Sequence, residues 1–370
     1  MSVKVCHMSS AHPPEDQRIF IKQCTCLVQA GYETYLVVRG NSYDKNGVHI
    51  VGVGELTGTR LQRMTKLAKL VYEKALEIDA DIYQIHDPEL LPYALKLKKK
   101  GKKVVFDSHE YYPDQFKYKP YLPGWVCKLL SCVYKRYEDY VLQKIDAVIF
   151  PCLKDGVHPF AGRCKRTITL NNVPLMSELY DHYDPSVVKY ENSICHVGSL
   201  TKSRGITEVV KAAALSNTTA YIAGVFSSLE YQKEIEALPE SKAMKYLGRI
   251  NRQQVLVLLQ HCQIGMATIH NVGQYNQFDN LATKCYEYMA LGMPVILTRA
   301  PFNEKVNEKY QFAICVDPEN ENEIADAITY LLTHPDEAKR MGENGRKAIR
   351  EVFNWEKEKE NLLKLYKVLN

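Results

Sequence analysis

The residues best suited to chemistry fall in four short segments, each at the end of a β-rich run or the start of a helical one. Asp107-Ser108-His109-Glu110 sets two carboxylates and an imidazole within four positions, and His86-Asp87-Pro88-Glu89 repeats the combination. Such groups hold hydroxyls and move protons. Ser199-Leu200-Thr201-Lys202-Ser203-Arg204-Gly205 places two cations in a loop that runs into a helix, which on residue type alone fits a surface charge as well as a site. In Asp279-Asn280-Leu281-Ala282-Thr283-Lys284-Cys285-Tyr286-Glu287 a loop enters a short helix that stops at Gly292, and Pro294 follows. The first N–H groups of that helix lack intrahelical partners and suit a phosphate. Glu287, one turn in, is placed to accept hydrogen bonds from ribose hydroxyls.

These segments need strands and helices to position them. Hydrophobic patterning predicts strands at 3–8, 33–38, 48–53, 81–85, 103–107 and 147–150, alternating with helices at 16–30, 61–78, 88–99 and 124–145. After a polar stretch at 173–192 the rhythm restarts. Strands are predicted at 193–197, 219–223, 244–247, 264–267, 295–297 and 313–316, with helices between them at 205–215, near 227–237 and beyond. The expectation is an α/β chain of two doubly wound domains, 1–180 and 181–352, followed by an amphipathic helix at 353–370. Ligands sit at the C-terminal strand ends of such sheets, so two facing domains would enclose a cleft.

Composition narrows the function. A hydrophobic fraction of 46% and a charged fraction of 25% over 370 residues exclude disorder, collagen and coiled coil as the main character. No apolar run approaches the ~18 residues that span a bilayer. The N-terminus lacks a basic region followed by an apolar stretch, so a secretory signal is not expected. Eleven cysteines without a C-x-x-C pair read as reduced thiols rather than disulfides or a zinc site. The missing G-x-G-x-x-G after the first strand, G-x4-G-K-[ST] and G-x-S-x-G argue against a dehydrogenase, a P-loop enzyme and an esterase.

The net charge of +5 is unevenly divided. Residues 1–190 carry 27 Lys/Arg against 21 Asp/Glu, and 91–136 carry 11 against 3. Seven tyrosines stand in 111–140 (Tyr111, Tyr112, Tyr118, Tyr121, Tyr134, Tyr137, Tyr140), with Trp125, Lys128, Lys135 and Arg136. A helix there would line up Val126, Leu129, Leu130, Val133, Tyr137 and Val141. Rings beside cations suit the surface of an anionic membrane, whereas nucleic acid is disfavoured because no nucleic-acid motif accompanies the cations.

The segment 279–296 resembles the signature of the family-four, retaining glycosyltransferases of the GT-B fold (group 1, polysaccharide type), which carry E-x7-E, a helix and G-x-P-V. Glu287 falls on the second glutamate, which in that family binds the ribose of a nucleotide-sugar donor. Asp279 stands at the first, a shortened carboxylate, with Asn280 placed to share its grip on the donor sugar. The stretch 196–205 is similar to the G-R-L-x3-K-G phosphate loop. Arg204 takes its lysine position, and Ser199 takes its arginine position, which removes one cation; Lys202 is the nearest replacement. Asp107–Glu110 resembles D-x-H-E, whose histidine approaches the donor sugar, and His86-Asp87-Pro88 resembles a subgroup motif. The stretch 9–20 looks like the first strand–helix loop without its glycine pair, so no phosphate cradle is expected there. Residues 353–366 resemble the closing helix that crosses back to the first domain.

The resemblance implies a fold and a function. The fold is two Rossmann-like domains facing each other across a cleft. The function is a metal-independent hexosyltransferase moving sugar from a UDP- or GDP-linked donor to a saccharide or lipid-linked saccharide in cell-surface polysaccharide synthesis. His109, Arg204 and Asp279 would serve catalysis, and Ser199, Lys202, Arg204, Asn280, Leu281, Ala282 and Glu287 would hold the donor. No cofactor or metal is implied. The location expected is cytoplasmic, peripheral on the inner face of the cell membrane. A nucleotide-sugar epimerase of the same fold and a non-catalytic sugar-nucleotide sensor are the alternatives.

Overall fold

The computed structural model describes residues 2–55, 59–117, 122–272 and 276–370; Tyr118 and Tyr121 of the tyrosine-rich stretch lie outside them. The chain forms two compact units, one ending at Asn172 and regaining Glu356–Asn370, the other Val173–Trp355. The division thus falls at 172/173 and 355/356, where sequence suggests 180/181 and 352/353. Packing explains the difference. Val173 and Leu179 are buried with Tyr288 and Met289 of the second unit, and Trp355 N–H donates to the Pro174 carbonyl at 2.9 Å.

The first unit is built on an eight-stranded sheet. Its strands are β1 (Lys4–Met8), β2 (Glu33–Val38), β3 (Tyr43–Lys45), β4 (Val48–Gly52), β5 (Ile82–Ile85), β6 (Lys103–Asp107), β7 (Ala147–Phe150) and β8 (Thr167–Thr169). They lie in the order β3-β4-β2-β1-β5-β6-β7-β8, and only β3, against β4, is antiparallel. The order reverses at the β1/β5 boundary, where His7 pairs in register with Gln84 and Met8 with Ile85. Chain running outward on both sides leaves a crevice at the C-terminal ends of these two strands.

Helix α1 (Gly124–Leu142) buries Cys127, Ser131, Glu138, Val141 and Leu142. Leu129, Val133 and Tyr137 of the expected stripe are turned outward instead. The buried face carries Glu138 because Arg163 meets its carboxylate there.

The second unit holds a six-stranded, wholly parallel sheet. Its strands are β9 (Ser193–Val197), β10 (Thr219–Ala223), β11 (Met244–Gly248), β12 (Ile264–Ala267), β13 (Val295–Thr298) and β14 (Ala313–Val316), in the order β11-β10-β9-β12-β13-β14. Alternate residues feed two cores. Ile194 and Ile296 pack with Ile206 and Val210 on one face, and Cys195 and Leu297 with Tyr288 and Met289 on the other. Burial on both faces is why these strands read as continuous apolar runs. The helices that matter to the site are α2 (Ile206–Leu215), α3 (Arg252–His261) and α4 (Thr283–Ala290). The chain ends in α5 (Trp355–Leu369), which returns to the first unit with Leu362, Leu365 and Tyr366 buried and Glu358 accepting from Asn171 N–H at 3.0 Å.

The strand order of the second unit reverses between β9 and β12, and the loop after β9 lies against the loop after β10. Gly224, at φ 151°, makes that approach possible, since a Cβ there would overlap the carbonyl oxygen of Gly198. Gly224→Ala should therefore destabilise the second unit by about 2–4 kcal/mol, read as a lower urea midpoint, with circular dichroism otherwise native.

Candidate functional site

At the switch point of the first unit the ends of β1, β5 and β6 bring together four histidines and two aspartates. Asp107, with no exposed surface, is the centre. Arg18 forks onto it, Nη2 to Oδ1 at 2.7 Å and Nε to Oδ2 at 3.1 Å, while its Nη1 donates to the Leu170 carbonyl. Gln23 Nε2 donates to the same Oδ2 at 2.6 Å. His86 Nδ1 and His109 Nε2 lie 3.3 and 3.5 Å from it, and 3.2 Å from each other. Burial opposes ionisation of Asp107, yet Arg18, His109 and His86 outweigh it and hold the carboxyl well below its usual range. Burial keeps His7 and His86 neutral by pulling both imidazoles below their ordinary value.

The neighbouring Asp87 is organised differently. Its Oδ2 accepts from Ser10 N–H at 2.6 Å, Ala11 N–H at 3.1 Å and Ser9 Oγ at 2.9 Å, and its Oδ1 meets His12 Nδ1 at 3.1 Å. Burial pushes the carboxyl up, but His12 and these donors bring it down to about 2. His109, its ring tilted against that of His12 at 4.5 Å between centroids, lines a recess of about 160 Å³ with Asp16, Gln17, Arg18, Pro151 and Asn172. The His86, Asp107 and His109 ligand atoms lie within 4.8 Å of one another, the spacing of a small-cation site. The Arg18 guanidinium on the same carboxylate opposes a second buried cation, so charge and hydrogen bonds already satisfy this group.

At the switch point of the second unit the loop after β9 passes through Ser199 and a tight turn, Lys202–Arg204, into α2. Thr201 caps the turn by accepting from Arg204 N–H, and Gly205 enters α2 at φ 70°, where a Cβ would overlap the Thr268 carbonyl oxygen. Beside it Lys284, buried in the first turn of α4, donates from Nζ to His196 Nε2 at 2.7 Å. Burial and the adjacent Arg204 pull the Lys284 ammonium down to about 7. A recess of about 260 Å³ opens along Val197, Gly198, Ser199, Gly224, Arg249 and Ile250. Two cations at a helix-entry loop, next to a cavity at a sheet reversal, are an arrangement chemically suited to a phosphate-bearing ligand.

Two family models cover most of the chain: residues 17–154 match Glycosyltransferase Family 4 and residues 183–348 match Glycosyl transferases group 1. The chain belongs to the group 1 glycosyltransferases. Sucrose-phosphate synthase from Thermosynechococcus elongatus superposes with a TM-score of 0.76 at 16% identity, over 99% of each chain. Anabaena HepE, solved with UDP and glucose, superposes at 0.73 and 14% identity over 99% of this chain and 100% of that one. At such identities the likeness shows the fold, which is GT-B. The MMP alpha-(1->4)-mannosyltransferase of Mycolicibacterium hassiacum is 32% identical over 80 residues. The chain spans only about a fifth of the length of the curated relatives it matches, 23% of one and 20% of the other.

The residues singled out from sequence have distinct surroundings. His109 joins the Asp107 cluster of the first unit. Glu287, half-buried on α4, is held by Arg252 of α3 at 2.7 Å, which also reaches Glu178 at 2.9 Å. Leu281 is buried, Ala282 caps α4, and Asp279 and Asn280 lie in the loop before it. Ser199 is exposed, and Lys202 is drawn off to Glu234 at 2.8 Å, away from the place of the missing cation. Lys284 is nearer: its Nζ lies 3.8 Å from where a Cβ on Gly198 would stand. Sequence reasoning missed Lys284, His196, Arg252, Arg18, His7 and His12. The signal for Lys284 was its place in the first turn of the motif helix.

A diphosphate bound beside Lys284 favours its charged form. Nucleoside diphosphate affinity should thus be highest below pH 7 and fall by up to about tenfold per unit above it. Calorimetry at pH 8 in two buffers of different ionisation heat should show close to one proton taken up on binding, and none for Lys284→Met.

Proposed function

We propose that the protein is a retaining glycosyltransferase taking sugar from a nucleotide-linked donor, uridine or guanosine, to a saccharide or lipid-linked saccharide in cell-surface polysaccharide synthesis. The observation that carries this reading is the arrangement around α4. One short helix supplies the buried Lys284 beside Arg204 in its first turn and the Glu287 carboxylate one turn later. The cations and the N–H groups of the helix start suit a diphosphate, the carboxylate suits a ribose, and the recess along Arg249 and Ile250 suits a base. Stabilisation of charge on the departing diphosphate by Arg204 and Lys284 is the main catalytic effect, and it needs no metal. The acceptor belongs on the first unit, near His109. HepE, solved with UDP and glucose, makes UDP-glucose the first donor to try.

Release of nucleoside diphosphate only when donor and acceptor are both present identifies the transferase. An epimerase would convert the donor sugar without release, and a sensor would bind and do neither. Chelator should leave the rate unchanged. Glu287→Ala should weaken nucleotide binding by about 1–3 kcal/mol, since ribose hydrogen bonds are lost. Arg252 keeps Glu178 as its partner, so the variant should fold; equal affinity in mutant and wild type would refute the ribose assignment.

A second observation supports an anionic membrane as the place of action. Along α1, Trp125 is 71% exposed, Leu129 and Val133 are 56%, and Tyr140 is 54%, with Lys128 and Arg136 exposed among them. Lys135 is partly balanced by Asp139 at 2.9 Å. Among the described residues no helix is long and apolar enough to cross a membrane. Rings at headgroup depth with cations worth about 1 kcal/mol each give a reversible contact. Vesicle sedimentation should rise with anionic lipid, fall with salt, and drop in Lys128→Glu/Arg136→Glu; indifference of the wild type to anionic vesicles at low salt would rule the contact out.

A further inference from the structure

The hydrogen bonds around Asp107 form a closed circuit, and its direction can be deduced. A carboxylate only accepts, so Gln23 must turn Nε2 toward Asp107 Oδ2. That leaves Gln23 Oε1 to accept from Gln84 Nε2 at 2.6 Å. Gln84 Oε1 is then the acceptor for the Tyr366 hydroxyl, 2.7 Å away on α5. With its proton committed, the Tyr366 oxygen can only accept from His7 Nε2, at 3.4 Å. His7 is neutral, so its Nδ1 is bare and accepts from His86 Nε2–H at 3.0 Å. His86 Nδ1 is bare in turn and accepts from His109 Nε2–H at 3.2 Å.

At the last step the proton has two possible homes. Around Asp107 Oδ2, His86 Nδ1 and His109 Nε2 lie at 3.2–3.5 Å from one another, and one proton serves equally well on either ring. What breaks the tie is the long way round through Tyr366. Reversing the histidines would require the Tyr366 hydroxyl to donate to His7, both glutamines to flip, and Gln23 Oε1 to face the Asp107 carboxylate at 2.6 Å.

We propose that Tyr366 is a positioning residue that fixes His109 in the Nε2–H tautomer and so presents its Nδ1 as a hydrogen-bond acceptor. His109 Nδ1 has no partner among the described residues, and the ring lines the recess beside Asp16, Arg18 and Asn172. The ligand class this selects is one that offers a hydroxyl proton, such as a sugar, over one that offers only acceptors. Its bearing on catalysis rests on the transferase reading; the tautomer does not.

The test uses the full-length protein with 15N-labelled histidine and long-range 1H–15N spectra, which separate protonated from bare ring nitrogens. It is run near pH 8.5, above the ordinary imidazole pKa of ~6.5. His7→Gln, His86→Gln and His109→Gln supply assignments. The wild type should show Nε2–H and bare Nδ1 at all three rings; a proton on His109 Nδ1 would overturn the inference. Tyr366→Phe keeps the ring and removes the hydroxyl, so His109 should become a mixture of tautomers. If it stayed purely Nε2–H, Tyr366 would not be the residue that sets it. In a transfer assay the same variant should lose kcat on the order of tenfold with donor KM within about twofold, the pattern expected when a side chain's supporting partner is lost. A shifted tautomer with unchanged kcat would uphold the circuit and remove His109 from the reaction, which counts against the transferase role of that residue alone.

Discussion

The buried charge of Asp107 is the constraint from which the first unit's site follows. A carboxylate with no access to water costs several kcal/mol unless it is paired and hydrogen-bonded. Here Arg18 and Gln23 reach it from the helical segment after β1 and His109 from just beyond β6, while His86 at the end of β5 stands against the same oxygen. Meeting that demand holds three loops in one place. It also explains why the segment after β1 starts π-wound at Gln17–Cys24, capped by Asp16, with Arg18, Gln23 and Cys24 all turned inward. Ile19, Phe20 and Cys24 of the same segment pack against Leu36, Val38 and Ile50, so its polar contacts on Asp107 are backed by an apolar cluster.

The two units divide the chemistry by the sign of what they offer. The first gathers carboxylates and imidazoles, groups that can hydrogen-bond hydroxyls. The second gathers Arg204 and Lys284 around a helix entry, groups that answer to phosphate oxygens. Both use the same topological device, a reversal of strand order, at β1/β5 and at β9/β12. In the second unit glycines let backbones approach: Gly205 against Thr268, Gly224 against Gly198. A depressed Lys284 pKa is the cost of keeping a cation dry until an anion arrives.

Much of this was legible in the sequence where the physics is local. β6, β7, β9, β10, β12 and β14 fall on their expected bounds because a strand buried on both faces reads as an apolar run. The three-residue strands β3 and β8 left no such trace, being exposed or half-buried and too short for a period. His109 and Glu287 were readable from their segments, yet their partners were not. Arg252 is 35 residues from Glu287, and the circuit on Asp107 joins positions as far apart as His7 and Tyr366. The orientation of α1 was hidden for another reason. Its pattern contains two faces, and only the pairing of Glu138 with Arg163 decides which one turns in. Lys202 shows the same limit: spacing gave the cation, but its pairing with Glu234 at the surface was not in the sequence.

The return of α5 to the first unit has a meaning for how the chain is made. On the ribosome His7 and Gln84 emerge early, with the sheet that will bury them, but the hydroxyl that completes their hydrogen bonding follows 359 residues after His7. Until then the floor of the first site carries polar groups without their partner. Domains are commonly held to fold as they leave the ribosome, the first before the second. In this protein the earlier unit must wait for the later one to pass, so its site reaches final polarity only after the second unit has been made.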